Sequence, residues 1–276
     1  MYNFHKFQGT GNDFIIFHEA DVAGLNYTNL AQQVCDRHFG IGADGMMVVA
    51  TSQVADIGML FYNADGTVAT MCGNGIRCFA KYVFDQKLIS LEQFTVETLA
   101  GIMNVEVMDS QPHVSQIRVN LGKPVYEGEA IPKGVAGPYF NQPLTIKGKT
   151  YNINTLIIGT IHTVIFVEDL NQVNVAEVGP LIENHDLFPL KTNVNFCEIV
   201  DRKTLRVSTW EKGVGQTLAC GTGVTASAIV SSERFECDSV MEVGVAGGTL
   251  LIEKIDDAFY MTGPATLICS GVYNFV

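Results

Sequence analysis

The sequence predicts an α+β fold built from two related domains. Two near-copies of one short segment lie 148 residues apart in a chain of 276, and strand-like runs far outnumber helical ones. The first copy reads Cys72-Gly73-Asn74-Gly75-Ile76-Arg77-Cys78-Phe79-Ala80. The second reads Cys220-Gly221-Thr222-Gly223-Val224-Thr225-Ala226-Ser227-Ala228. Their flanks match as well. Asn63 follows Tyr62 nine residues before Cys72, and Glu211 follows Trp210 nine residues before Cys220. A repeat that carries its flanks is one supersecondary plan used twice. Many short strands with few helices point to α+β rather than to alternating βαβ units.

Alternating or apolar runs predict strands over 13–18, 46–50, 57–62, 94–98, 103–108 and 115–121. In the second half they predict strands over 154–158, 163–168, 195–201, 204–209, 239–245, 250–255 and 258–262. Helices are predicted over 29–39, 74–85, 173–183 and 222–232. Ile76, Phe79, Ala80 and Val83 recur at helical spacing, and the preceding glycines permit a tight entry. Each repeat cysteine therefore belongs at or just before a helix N-terminus. There, unpaired N–H groups and the helix dipole bind anions and favour a thiolate. Two such termini suit an α-carboxylate, with a thiol on either side of the adjoining carbon. The stretch 122–148 holds Pro124, Pro132, Pro138 and Pro143 and predicts the domain junction. The first domain is expected over 1–121, with 264–276 returning to it, and the second over 122–263.

Composition narrows the function. Hydrophobic content of 47% with 17% charged residues describes a folded globular chain. No run of about 18 apolar residues predicts a membrane span. The start, Met1-Tyr2-Asn3-Phe4-His5-Lys6, lacks a signal-peptide core, so a cytoplasmic location is expected. A net charge of −12 argues against nucleic acid. Seven cysteines, without C-x-x-C or zinc-ligand spacing, predict neither a disulfide framework nor a metal site. Cys35, Cys78, Cys197, Cys237 and Cys269 stand among apolar neighbours and are expected to be inert core thiols.

Seven ordered motifs give the chain a resemblance to the diaminopimelate epimerase family. They are Gly9-Thr10-Gly11-Asn12-Asp13-Phe14, the run Asp36 to Gly45, Tyr62-Asn63-Ala64-Asp65-Gly66, Met71-Cys72-Gly73-Asn74-Gly75, Thr192-Asn193-Val194-Asn195-Phe196, Thr217 to Gly223, and Met261-Thr262-Gly263-Pro264-Ala265. The resemblance implies two pseudo-symmetric domains, each a curved, mostly antiparallel sheet around a central helix, with the active site in the interdomain cleft. It implies inversion at an amino-acid α-carbon without pyridoxal phosphate, metal or other cofactor. Cys72 and Cys220 match its catalytic cysteines: one thiolate takes the α-proton while the other thiol delivers one to the opposite face. His162 and Glu211 match the polar pair that assists them. Gly73, Asn74, Gly221 and Thr222 match the donors around the α-carboxylate, and Asn12, Asn63 and Asn193 match side chains that hold the substrate. Asp36-Arg37-His38-Phe39 is expected to be structural, with buried polar contacts.

Three places depart from that pattern; one is Gln216, four residues before Cys220, which stands where the family usually has glutamate. Gly159-Thr160-Ile161-His162 stands where the family usually has Gly-Asn-Pro-His, and Lys212 stands where it has arginine. These last two belong to the grip on the distal amino-acid end, and lysine cannot reproduce arginine's bidentate hold on a carboxylate. The expected partner is a small-molecule amino acid: diaminopimelate, or another amino acid on the same scaffold. A homodimer is allowed by the sequence but not read from it. Two other classes compete. Paired thiols could serve redox chemistry, and Cys220-Gly221-Thr222-Gly223 could cradle a phosphate, although it lacks the P-loop lysine.

Overall fold

The structure is a computed structural model and describes residues 1–108, 116–135 and 137–274. The chain divides into two units, Met1–Asn120 with Thr262–Val276, and Leu121–Met261.

The first unit opens with a hairpin of β1 (Tyr2–Gly9) and β2 (Asn12–His18). Its turn, Thr10-Gly11, has positive φ at both residues, 52° and 87°. That is the primed geometry that matches the twist of paired strands, but a β-branched threonine sits there under strain. Then come α1 (Glu19–Val22) and α2 (Tyr27–Cys35), the second capped by the Asn26 side chain. β3 (Gly45–Ala50), β4 (Ile57–Asn63), β5 (Val68–Ala69) and α3 (Gly73–Asp85) follow. β6 (Gln93–Thr98), β7 (Gly101–Val107) and β8 (Gln116–Gly122) complete this run. β2–β3 and β4–β6 pair parallel; β1–β2, β3–β4, β4–β5, β6–β7 and β7–β8 pair antiparallel.

The second unit repeats the plan. Its elements are β9 (Tyr139–Ile146), β10 (Lys149–Ile158), β11 (Thr160–Phe166), α4 (Val175–Glu183), β12 (Asn193–Ile199), β13 (Thr204–Glu211) and β14 (Gly215–Thr217). Then follow α5 (Gly221–Arg234), β15 (Val240–Val245), β16 (Gly248–Ile255) and β17 (Ala258–Pro264). Here β11–β12 and β13–β15 are the parallel pairs. The register is repeated as well as the topology. Phe14 faces Gly45 across β2–β3, and His162 faces Asn193 across β11–β12, each residue displaced by 148. Tyr62–Val68 and Trp210–Gln216 repeat at the same offset. The last strand, β18 (Thr266–Tyr273), returns to pair with β1.

Each unit has one helix buried on nearly every face. On α3, residues Gly73 to Val83 are all buried. On α5, Val224, Ala226, Ala228, Ile229 and Val230 join Leu156, Val164, Leu205, Met241, Val243 and Ile252 in one core. Each large apolar side chain so buried contributes about 1.5–3 kcal/mol, and the polar ones that go in with them, Arg77 on α3 and Thr225 on α5, are hydrogen-bonded within the helix. These burials fix where the two cysteine-bearing helix ends lie within their own sheets.

Several expectations need correction. The helix predicted over 29–39 stops at Cys35, because Asp36 is extended and turns its carboxylate to the N–H groups of His38 and Phe39, each at 2.7 Å. Asp36-Arg37-His38-Phe39 is exposed, Phe39 by 91%, so its contacts are structural but not buried. Cys269 is exposed on β18, not a core thiol. α1, β1, β5, β9, β14 and β18 have no counterpart among the expected elements. β9 carries Pro143, which a strand tolerates at an edge, and most of β18 is exposed, which blurs its alternation. Residue 115 of the predicted strand 115–121 lies outside the described residues.

Candidate active site

Cys72 is the residue from which α3 starts. Its backbone is extended (φ −136°, ψ 126°), its carbonyl accepts the first helical bond from Ile76 N–H at 2.9 Å, and its side chain does not cap the helix. The half-buried Cys72 side chain precedes a first turn of Gly73, Asn74 and Gly75. Asn12, at the start of β2, meets it: the Cys72 thiol donates to Asn12 Oδ1 at 3.6 Å, and Asn74 Nδ2 donates to the same oxygen at 3.5 Å. The Asn12 amide cannot turn round, because its Nδ2 donates to the Asp44 carboxylate. Asp44 shares Arg37 with Asp13, and Lys6 also pairs with Asp13. Burial works against the Asp13 carboxylate, but Arg37 and Lys6 hold its pKa below the ordinary value. Asn63 ends β4, exposed, with its amide on Thr67 Oγ1 at 2.9 Å.

Cys220 starts α5 in the same way (φ −119°, ψ 106°), with Val224 N–H on its carbonyl at 2.9 Å. Its sulfur lies 3.6 Å from Thr222 Oγ1. Under this first turn lies a buried polar layer. Asn195 Nδ2 donates to the Thr163 carbonyl at 3.3 Å and to His162 Nδ1 at 3.2 Å, while Asn195 Oδ1 accepts from Thr209 Oγ1 at 2.9 Å. The fixed carbonyl sets the amide, so His162 Nδ1 is the acceptor and the imidazole proton sits on Nε2. That Nε2 is buried and has no hydrogen-bond partner among the described residues. Burial, then the charge of Lys212, pushes His162 down to about 3, so the ring is neutral at physiological pH.

The loop after β13 is tied from below. Asn193 bridges it, donating to the Ile161 carbonyl at 2.9 Å and accepting the Lys212 backbone N–H at 2.9 Å. Glu183, buried at the end of α4, accepts from Trp210 Nε1 at 2.7 Å and from Gly213 N–H at 3.1 Å. Glu211 accepts from Thr217 Oγ1 at 2.7 Å, and Lys212 Nζ lies 3.5 Å from the Leu190 carbonyl. Thr160 opens β11 two residues before His162.

Contacts thus join Asn12, Cys72 and Asn74, join Cys220 to Thr222, and join Asn193 to Lys212. His162, Glu211 and Asn63 bond to Asn195, Thr217 and Thr67. Sequence reasoning missed the roles of Thr10, Asp44, Glu183, Asn195 and Thr209. Thr10, Asp44 and Asn195 stood inside the quoted motifs, but no spacing rule singles out a supporting side chain. A cavity of about 370 Å³ in the second unit is lined by Thr217, Leu218 and Ala219 among others, and by none of the predicted site residues.

The sequence model for diaminopimelate epimerase matches residues 4–127 and 155–268. The chain belongs to the diaminopimelate epimerase family. The diaminopimelate epimerase of Alkaliphilus metalliredigens is 48% identical over 98% of this chain and 96% of its own length. That of Caldanaerobacter subterraneus subsp. tengcongensis is 44% identical over 97% and 98%. Among solved structures, a probable proline racemase from Agrobacterium radiobacter K84 superposes with a TM-score of 0.72 at 12% identity, covering 100% of this chain and 94% of that one. A PhzF-family phenazine biosynthesis protein of Bacillus anthracis gives 0.69 at 17% identity, covering 98% of both. These two likenesses speak for the fold. As a member of this family the chain is an isomerase, an epimerase that works without pyridoxal phosphate. No helix among the described residues is long and apolar enough to cross a membrane.

Proposed function

We propose that this chain interconverts LL- and meso-diaminopimelate by a proton transfer between two thiols. Cys72 and Cys220 carry the protons, one taking the α-hydrogen as thiolate and the other delivering one to the opposite face. The observation that supports this most directly is the equivalence of the two cysteines. Each begins a buried helix at the same place in a repeated sheet, with an extended backbone and a side chain left over from capping. A helix N-terminus offers its unpaired N–H groups to a carboxylate. In this reading Gly73, Asn74, Gly221 and Thr222 stabilise the charge that develops as the α-carbon loses its proton, and preorganised donors of that kind act most strongly where water is excluded. Asn12, Asn63 and Asn193 hold the substrate, and His162 and Glu211 assist the thiols. The His162 Nε2–H supports this as a neutral, unspent donor.

A second reading rests on Thr160 and Lys212. Lys212 is a point charge where a planar fork would grip a carboxylate, so the same chemistry could serve a different amino acid. The domain bounds, a cytoplasmic location, a homodimer and the absence of nucleic-acid and membrane partners belong to the same proposal; a net charge of −12 supports the lack of nucleic acid.

The test is α-hydrogen exchange in D₂O under reducing conditions, read by proton NMR and mass spectrometry on LL-diaminopimelate, meso-diaminopimelate and the common L-amino acids. Fast exchange confined to diaminopimelate is the expected result. Exchange with another amino acid instead moves the substrate and makes Thr160 and Lys212 the specificity switch. Consumption of an oxidant without exchange would favour redox chemistry.

A further inference from the structure

The two cysteines are equivalent in backbone, but their surroundings are not. Arg77 is the largest fully buried side chain in the first unit, at 0% exposure, and it stands on α3 five residues after Cys72. Its Nη1 donates to the Gly73 carbonyl at 3.1 Å, within the turn that Cys72 begins. At the equivalent position of α5 stands Thr225, whose hydroxyl makes the matching bond to the Gly221 carbonyl at 2.9 Å. The second helix therefore has the same hydrogen bond without the charge.

Arg77 also reaches Cys72 through side chains. Its Nη2 donates to Thr10 Oγ1 at 3.1 Å, and Thr10 Oγ1 donates to Asn74 Oδ1 at 3.2 Å. Asn74 Nδ2 then donates to the Asn12 oxygen that accepts the Cys72 thiol. Thr10 is the strained residue of the β1–β2 turn, at φ 52° and 1% exposure. Asparagine or glycine would relax that turn, so an outlier kept at this point suggests a task for its hydroxyl.

A proton carrier must hold both of its protonation states at similar cost. The hydroxyl of Thr222 suits both forms of Cys220, since it rotates to accept from a thiol or donate to a thiolate. The Asn12 oxygen only accepts, so by itself it favours the thiol form of Cys72. We propose that Arg77, tethered by Thr10, is a positioning residue for Cys72 that offsets this bias with a buried positive charge behind the first turn of α3. The two halves thus reach the same balance by different means. The proposal rests on the reading of Cys72 as a proton carrier. Burial lowers the pKa of Arg77 itself, while the neighbouring Cys78 and Cys72 act to raise it; arginine remains a cation at any physiological pH.

Other charges facing α3 are already engaged. Asp13 on β2 pairs with both Lys6 on β1 and Arg37, Asp44 closes that cluster on Arg37, and Lys81 pairs with Asp85 on the helix itself. Glu106 on β7 pairs with Arg118, and the His5 ring on β1 packs at a tilt against Tyr82, 5.0 Å between ring centres. Cys78 is pushed up to about 12 by burial and does not compete as a nucleophile.

The experiment is the pH dependence of iodoacetamide labelling of the full chain, resolved by peptide mass at Cys72 and Cys220, with exposed Cys269 as reference. Removing a buried charge that acts on a thiol moves its titration by about one pH unit or more. Arg77→Met is expected to raise the Cys72 midpoint by that amount and leave Cys220 in place, and Arg77→Lys to restore most of the shift. Thr10→Gly suits the turn and keeps the fold, and a smaller rise at Cys72 alone is expected. Should Arg77→Met fail to fold, Thr10→Gly decides. An unmoved Cys72 midpoint, or equal shifts at both cysteines, overturns the proposal. Labelling needs no turnover, so this result is separate from whether Cys72 carries protons, which the activity of Cys72→Ala decides.

Discussion

Met47 and Asn195 hold the same place in the two units, and each fills the space that a Cβ on the third residue of its helix would need. Met47 Cε lies against Gly75, and Asn195 Oδ1 lies against Gly223. The two contacts differ in what can give way. The methionine end is flexible. The asparagine is locked by Thr163, His162 and Thr209.

That difference predicts unequal costs for one substitution. At an early helical position alanine is favoured over glycine by up to about 1 kcal/mol, so Gly75→Ala should be near neutral once Met47 moves. Gly223→Ala must displace the Asn195 layer and should cost about 1–3 kcal/mol, the usual range for overpacking. Urea denaturation of the two variants checks this, and equal costs would contradict the rigid layer under Cys220.

His162 ties the same layer to pH. Its folded pKa is about 3, below the free value of 6.5. Below 6.5 the unfolded chain binds a proton that the folded chain refuses. Stability from this group is therefore complete above pH 6.5 and is lost as pH falls towards 3, by up to about 1.4 kcal/mol per unit. His162→Gln should lose less stability than the parent between pH 7 and pH 4. Identical acid limbs in urea melts would contradict a buried neutral imidazole.

Cys72→Ala and Cys220→Ala should each abolish epimerisation, since each removes one of two obligatory carriers, with both variants folded by circular dichroism. More than a few per cent of parent activity in either, against the roughly 10²-fold or larger loss expected for a general acid–base group, would sink the two-thiol scheme.

Much of this was legible in the sequence because the repeat is written in residues with strong local meaning. Cysteine followed by glycines marked both helix starts, and the offset of 148 carried the register of whole strand pairs. What the sequence hid was the unequal support beneath equal helices. Met47 against Asn195, Phe14 against His162, and Arg77 against Thr225 are substitutions inside a shared plan, and their meaning depends on neighbours brought in from β2, β3, β11 and β12. Asn193 carries a tie that motif matching does not show: its amide engages the Ile161 carbonyl and the Lys212 N–H, and each end keeps capacity for one further partner. β9 escaped notice for a different reason: a proline on an edge strand looks like a loop.

Thr160 and Lys212 give the test of substrate. On the proposed function they are tolerated variants, so Thr160→Asn with Lys212→Arg should leave kcat/KM for diaminopimelate within about tenfold, a change of 1.4 kcal/mol or less. A much larger gain would mean that the native substrate is another amino acid.

The most direct measurement follows the isotope in early turnover. LL-diaminopimelate is incubated with the chain in D₂O, and product and remaining substrate are analysed by mass before equilibrium. With two carriers, the thiol that protonates the product draws on solvent, so the meso product should carry one α-deuterium while the remaining LL substrate stays unlabelled. Meso product that retains the substrate's own α-hydrogen would mean a single base carrying the proton across, and would contradict the account.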